Sequence, residues 1–145
     1  MNEKLARQVE EMKKQTIGVE VEMNSIARSR AAKIAADFFG TGRHEYTARR
    51  NGYETYSAWD AQGREWKFQK DVSIAGPDSE KCEMVTPILT YADMETLQEL
   101  IRQLRHAGAR ATREGAAGYT STSVRKAIRR RRSATLLTSW QATKA

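Results

Sequence analysis

The sequence predicts an α+β domain with an antiparallel sheet and two main helices, and three observations carry that prediction. A strand-like alternation opens the body of the chain, an aromatic and β-branched stretch in the middle contains a hairpin turn, and two segments place apolar residues at helical spacing. The resulting order is strand, helix, hairpin, strand, helix, which suits an antiparallel sheet with helices set to one side.

Residues 1–15 have helix-forming composition, but only Leu5, Val9 and Met12 form an apolar stripe, so they read as a peripheral, frayed or partner-dependent extension. In Thr16 to Met23, TIGVEVEM, the residues Ile17, Val19, Val21 and Met23 share one strand face, while Gly18, Glu20 and Glu22 share the other. Asn24 or Ser25 is the expected cap of a helix through Ala27, Ala31, Ile34, Ala35, Phe38 and Phe39, with Gly40 as its stop. From Tyr46 to Lys70, Ala61-Gln62-Gly63 separates YETYSAWD from REWKFQK as a hairpin turn would. Lys81 to Pro87, KCEMVTP, is a further short strand, closed by Pro87, in which Glu83 shares a face with Lys81 and Val85. Asp93 or a neighbour starts the clearest helix, with Met94, Leu97, Leu100, Ile101 and Leu104 on one side and Gly108 as the stop.

The chain has 145 residues, 39% of them hydrophobic and 30% charged, which describes one small domain. No stretch approaches the roughly 20 apolar residues that span a bilayer, and MNEKLARQVEEMKKQ is charged where a signal peptide needs an apolar segment. A cytoplasmic protein without membrane association is expected. One cysteine, Cys82, excludes an internal disulfide and Cys-paired zinc, and two distant histidines leave carboxylates as metal donors, suited to magnesium or calcium. The net charge of +7 belongs to the end of the chain. All 18 acidic residues lie at or before Glu114, and the seven bases that follow leave 18 bases against 18 acids upstream.

Four features could carry chemistry. Glu20 and Glu22 are more often the solvent face of a half-buried sheet than a ligand pair; if both project into one cleft, a hard divalent cation is needed to neutralise them, and Glu83 would be the third ligand. Cys82 reads as a small buried strand residue. His44-Glu45 begins like H-E-x-x-H, but Ala48 stands at the second histidine position and the segment is not helical. Arg125, Lys126 and Arg129 to Arg132 would usually be read as a nucleic-acid patch acting through phosphate neutralisation, yet no recognition fold surrounds them.

Taken together, TIGVEVEM, AAKIAADFFGT, DAQGREWK, KDVSI and CEMVTPILTYADMETLQELIRQLRHAGA resemble the amidoligase family, carboxylate–amine ligases related to glutamine synthetase and glutamate–cysteine ligase. The resemblance covers Thr16 to Arg110, with the motifs in the family order. It implies a glutamine-synthetase-like catalytic domain that uses ATP and magnesium, with manganese as an alternative, to join a small-molecule or peptide carboxylate to an amine through an acyl phosphate. It also implies that Glu20 and Glu22 are the E-x-E metal and phosphate carboxylates and that Glu83 is the glutamate of the C-E-[LM]-V-[ST]-P strand, the three being catalytic and metal-binding. Lys67, Asp71 and Ser73 fall at the W-K and D-x-S-I positions, where they would orient substrate or phosphate. An oligomer is compatible with this reading.

The departure comes after the second main helix, where the family continues with a strand of the type C-G-[IL]-H-[IV]-H-[IV]. This chain instead reads GAAGYTSTSVRKAIRRRRSATLLTSWQATKA. If Tyr119 to Val124 is encoded TAC ACA TCC ACG TCG GTC, reading one base earlier yields Leu-His-Ile-His-Val, and the same shift over Ala116 to Lys144 permits CGLHIHVGPEGHTPQTLRNLANIMASHE. The expectation is a domain at residues 16–115 followed by an out-of-frame, disordered basic tail at residues 116–145, inactive as it stands. Nucleic acid would then bind only nonspecifically through Arg125 to Arg132. The competing expectations are a small nucleic-acid-associated protein that uses the tail, or an adaptor that docks its incomplete sheet on a partner chain.

Overall fold

The computed structural model describes residues 2–47 and 53–111 and the backbone of residues 128–131. It is α+β, and every strand pairing among the described residues is antiparallel. The elements are α1 (Glu3–Lys13), β1 (Thr16–Asn24), α2 (Arg28–Phe39), β2 (His44–Tyr46), β3 (Tyr56–Trp59), β4 (Glu65–Gln69), β5 (Cys82–Val85), β6 (Leu89–Thr90), α3 (Met94–His106), β7 (Arg110–Ala111) and β8 (Ile128–Arg131). No described helix is long and apolar enough to cross a membrane.

The sheet runs β2–β3–β4–β5–β1. β6 carries the β5 pairing further along β1: Val85 lies opposite Glu20 and Leu89 opposite Ile17, one residue out of step. Thr86 and Pro87 make the offset. Thr86 N–H donates to the Val19 carbonyl at 3.0 Å, and the Thr86 hydroxyl accepts from Val19 N–H at 2.9 Å where a ladder carbonyl would otherwise stand. The other edge of β1 takes β7 at Met23 and Asn24 and β8 at Gly18 to Val21. The rest of the tail, expected to be disordered, lies outside the described residues.

The alternation expected of β1 is present, with Ile17, Val19, Val21 and Met23 buried and Glu20 and Glu22 half-buried on the opposite face. α2 and α3 cover the apolar face, on which Val21, Met84, Phe68 and Trp66 are buried. α2 contributes Ala31, Ala32, Ala35 and Ala36, whose small side chains let its backbone lie close to the sheet, while Phe39 packs its ring 5.0 Å from Trp66. α3 contributes Leu97, Leu100, Ile101 and Leu104, as its periodicity predicts.

Two ends differ from expectation. Neither Asn24 nor Ser25 caps α2: β1 continues through Asn24, Ser25 turns the chain with φ of 62°, and Ala27 is the N-cap without a side-chain bond. The extension forms α1 outright, but it buries no residue.

The hairpin turn falls where Ala61-Gln62-Gly63 places it. Gly63 adopts φ of 77°, and Asp60 Oδ1 accepts from the N–H groups of Gln62 and Arg64 at 3.0 and 2.9 Å. Asp60 Oδ2 also accepts from Trp66 Nε1 and Arg64 Nε, each at 2.9 Å. Arg64 then reaches both oxygens of Asp93 at 2.9 and 3.0 Å, and Asp93 in turn closes a capping box with Thr90 ahead of α3. Much of the DAQGREWK motif is thus spent on joining the hairpin to α3.

Candidate functional site

Residues directly opposite one another on neighbouring strands share a face, so the register lays out the open side of the sheet in rows. One row holds Gln69, Glu83 and Glu22 on β4, β5 and β1. The next holds Ser57, Lys67, Val85 and Glu20 on β3, β4, β5 and β1. Neither row is arranged by local sequence; both depend on long-range pairing.

A third carboxylate joins the first row from a loop. Residues 70–81 connect β4 to β5, and Asp71, at the start of this connection, brings its carboxylate to Glu22 and Glu83. One oxygen from each of the three lies within 4.8 Å of the others. Oxygen-only donors at this spacing suit magnesium or manganese. Cys82 is no competitor, being buried on the apolar face with its thiol pushed up to about 12 by burial.

The electrostatics follow from the crowding. Glu83 is 8% exposed and its carboxyl is pushed up to about 7, first by burial, then by a hydrogen bond with Asp71 that favours its protonated form, and by the charge of Glu20. Gln69 Nε2 donates to Glu83 Oε1 at 3.3 Å and acts weakly in the other direction. A divalent cation would favour the ionised form over the shared proton.

Of the residues singled out by the sequence, Glu22 and Glu83 stand together and Glu20 stands one row away, near enough for its charge to act on Glu83. Asp71, expected beside substrate or phosphate, lies with the carboxylates. Ser73 serves Asp71, since its hydroxyl and N–H both donate to Asp71 Oδ1, at 2.6 and 2.8 Å. Lys67 is exposed on the open face, in the row of Glu20 and two strands from it, roughly 10 Å by strand spacing. Gln69 went unnoticed in the sequence, although its two-residue spacing from Lys67 puts it on this face.

An α+β domain with α2 and α3 on one face of an antiparallel sheet and clustered carboxylates on the other is the class that this geometry defines. A family model described as "putative amidoligase enzyme" matches residues 13–121, three quarters of the chain. The chain belongs to the amidoligase family. Neither a curated protein nor a solved structure matches it.

Proposed function

We propose that the domain is the front part of an ATP-dependent carboxylate–amine ligase of glutamine-synthetase-like type, working in the cytoplasm on a small-molecule or peptide carboxylate and an amine. The observation that supports this most directly is the meeting of Glu22, Asp71 and Glu83 on the open sheet face of a chain in the amidoligase family. In such a reaction a substrate carboxylate oxygen attacks the γ-phosphorus of ATP and ADP leaves. The amine nitrogen then attacks the acyl carbon, phosphate leaves, and the nitrogen gives up a proton. Bringing a carboxylate to a triphosphate sets anion against anion, and bound magnesium would supply the neutralising charge. Glu22, Asp71 and Glu83 are the residues that would hold it. Glu20 would extend the acidic floor, and Lys67 would face the substrate or phosphate oxygens from the same row. Ser73 would keep the Asp71 carboxylate turned to the site.

We further propose that residues 116–145 are out of frame and that the chain is inactive in this form. No histidine follows His106, whereas the shifted frame, with the codons given above, would restore Leu-His-Ile-His-Val. The coding DNA is the first check: the shifted frame should run on past the H-[IV]-H stretch, and immediate stop codons would refute the frameshift. The test of function uses the repaired chain with magnesium-ATP, candidate carboxylates and hydroxylamine, which traps acyl phosphates as hydroxamates. Hydroxamate and phosphate should appear together and vanish on Glu83→Gln. A repaired protein that folds but neither binds magnesium-ATP nor depends on Glu22 and Glu83 would end the ligase reading.

A further inference from the structure

We infer that Asn24 and Arg28 form a clamp that fixes the loop of residues 70–81 and thereby places Asp71 against Glu22 and Glu83; both are positioning residues for the cation site. The inference rests on the ligase reading and assigns roles to two residues outside its motifs.

Glu22 and Glu83 are fixed by the pairing of β1 with β5, where they stand directly opposite each other. Asp71 is not fixed by strand pairing, because it lies on the connecting loop between β4 and β5. A hydrogen bond joins Asp71 to Glu83 while Glu83 is protonated, but once Glu83 ionises to take a cation the carboxylates repel one another, and an unheld loop would swing its carboxylate out to solvent. The path of the loop as a whole is set by contacts further along it.

The Arg28 guanidinium does much of this. It is 7% exposed at the first turn of α2, and its NH1 donates to the carbonyls of Asp78 and Lys81 at 2.8 and 2.6 Å. Its Nε donates to the Glu54 carbonyl at 3.2 Å, and its NH2 pairs with the Glu54 carboxylate. The fork therefore ties the far end of the loop to the segment leading into β3. Asn24 grips the middle, its Nδ2 donating to the Ala75 carbonyl at 3.1 Å. Gly76, at φ of 117°, makes the turn beside the Asn24 side chain in a conformation that other residues rarely adopt. The loop is further closed by Lys70 and Lys81, which both meet Asp78, at 3.0 and 2.9 Å.

These contacts reach backbone carbonyls, so they specify where the loop runs rather than which side chains it carries. Ile74, buried at the loop centre, already supplies an apolar anchor. A desolvated guanidinium is a poor way to add stability alone, since its own burial offsets most of the gain. Its four directed bonds suit positional control. Asn24 and Arg28 also follow Glu22 closely in the chain, so one strand-to-helix segment supplies one carboxylate and holds another.

The test measures Mn2+ binding by the full chain, the melting temperature without metal, and hydrogen exchange of the amides at residues 72–76. Asn24→Ala should leave the metal-free melting temperature close to that of the original protein, speed exchange in the loop, and weaken Mn2+ about 10-fold, the lower end for residues that support metal ligands. Arg28→Lys keeps the charge but loses the fork, and should weaken Mn2+ at least as much. Asp71→Asn is the control for the ligand itself. If both clamp variants fold and keep full Mn2+ affinity while Asp71→Asn loses it, the clamp is refuted and the cation site stands. If the unaltered protein binds no Mn2+, the cation site and the clamp fall together.

Discussion

The two faces of the sheet are built from alternate residues of the same strands, yet they answer to different physics. On the helix side, Val21, Met84 and Phe68 lie in one row, all buried, and their neighbours Trp66 and Leu100 are fully enclosed. On the open side, the positions between them carry Glu22, Glu83 and Gln69, or Glu20 and Lys67. The first face stabilises by removing apolar surface from water, which is indifferent to direction. The second gathers like charges at some cost to stability, and is useful only if something binds there. Stability and chemistry should therefore separate on neighbouring residues of a single strand.

The largest expected effect tests that separation on β4. Phe68→Ala empties a fully buried site and should cost about 3–5 kcal/mol of unfolding free energy. Lys67→Ala, one residue away on the exposed face, should stay within about 0.5 kcal/mol. Urea titration of both variants reads the difference. Equal losses would mean that the open face is also part of the core.

A smaller effect, through pH, distinguishes the carboxylate that braces the fold from the one that crowds the site. Asp93 is held down at about 2, chiefly by its hydrogen bonds with Arg64 and against its partial burial. A depressed acid stabilises the fold above its ordinary value of 3.8, and that contribution is lost as pH falls toward 2. Glu83 has the opposite sign. Its value is raised from 4.5 to about 7, so the fold favours its protonated form, and the metal-free protein should lose stability as pH rises from about 4.5 to 7, with no further loss from this group above that. Mn2+ selects the ionised form and should raise the melting temperature more at pH 8 than at pH 6. Glu83→Gln should abolish both the loss between about pH 4.5 and 7 and most of the Mn2+ shift, while Asp93→Asn should leave them in place. A Mn2+ shift that does not change with pH would sever Glu83 from the site.

How much of this was legible in the sequence depends on the range of the interaction involved. The alternation in TIGVEVEM, the stripe from Met94 to Leu104 and the turn at Gly63 are local signals, and each produced the element expected. β2 was not foreseen as a strand: three exposed residues have no core-facing period and are strands only because β3 lies beside them. The cap of α2 was missed because a Ser-containing boundary looks like a capping signal, whereas pairing with β5 and β7 keeps β1 extended through Asn24 and Ser25 makes the turn. Glu20, Glu22 and Glu83 could be named from motifs, but which of them meet is a matter of register. Asp71 and its local partner Ser73 fall in one short motif, but the long-range contacts that set the path of the loop, here through Asn24 and Arg28, leave no periodic trace.

The last and smallest expected effect lies within the open face and contrasts the two members of the E-x-E pair. Two residues apart on β1, Glu20 and Glu22 have the same chemistry and point the same way, so sequence treats them as equivalent. The register does not. Glu22 lies opposite Glu83 and shares the three-carboxylate cluster with Asp71, whereas Glu20 lies opposite Val85, one row on toward Lys67. Glu22→Gln replaces one of the three carboxylates by a neutral amide and removes a full charge from the cluster, and should weaken Mn2+ severely. Glu20→Gln removes only a neighbouring charge from a half-buried position one row away, where Coulomb interactions are of the order of 1 kcal/mol or less. Its Mn2+ affinity should therefore fall by less than about 10-fold, with the deficit shrinking as salt is added. Isothermal titration at two ionic strengths reads both quantities. If Glu20→Gln proves as damaging as Glu22→Gln and the loss persists at high salt, Glu20 is a direct ligand, and the site extends across both rows rather than resting on Glu22, Asp71 and Glu83.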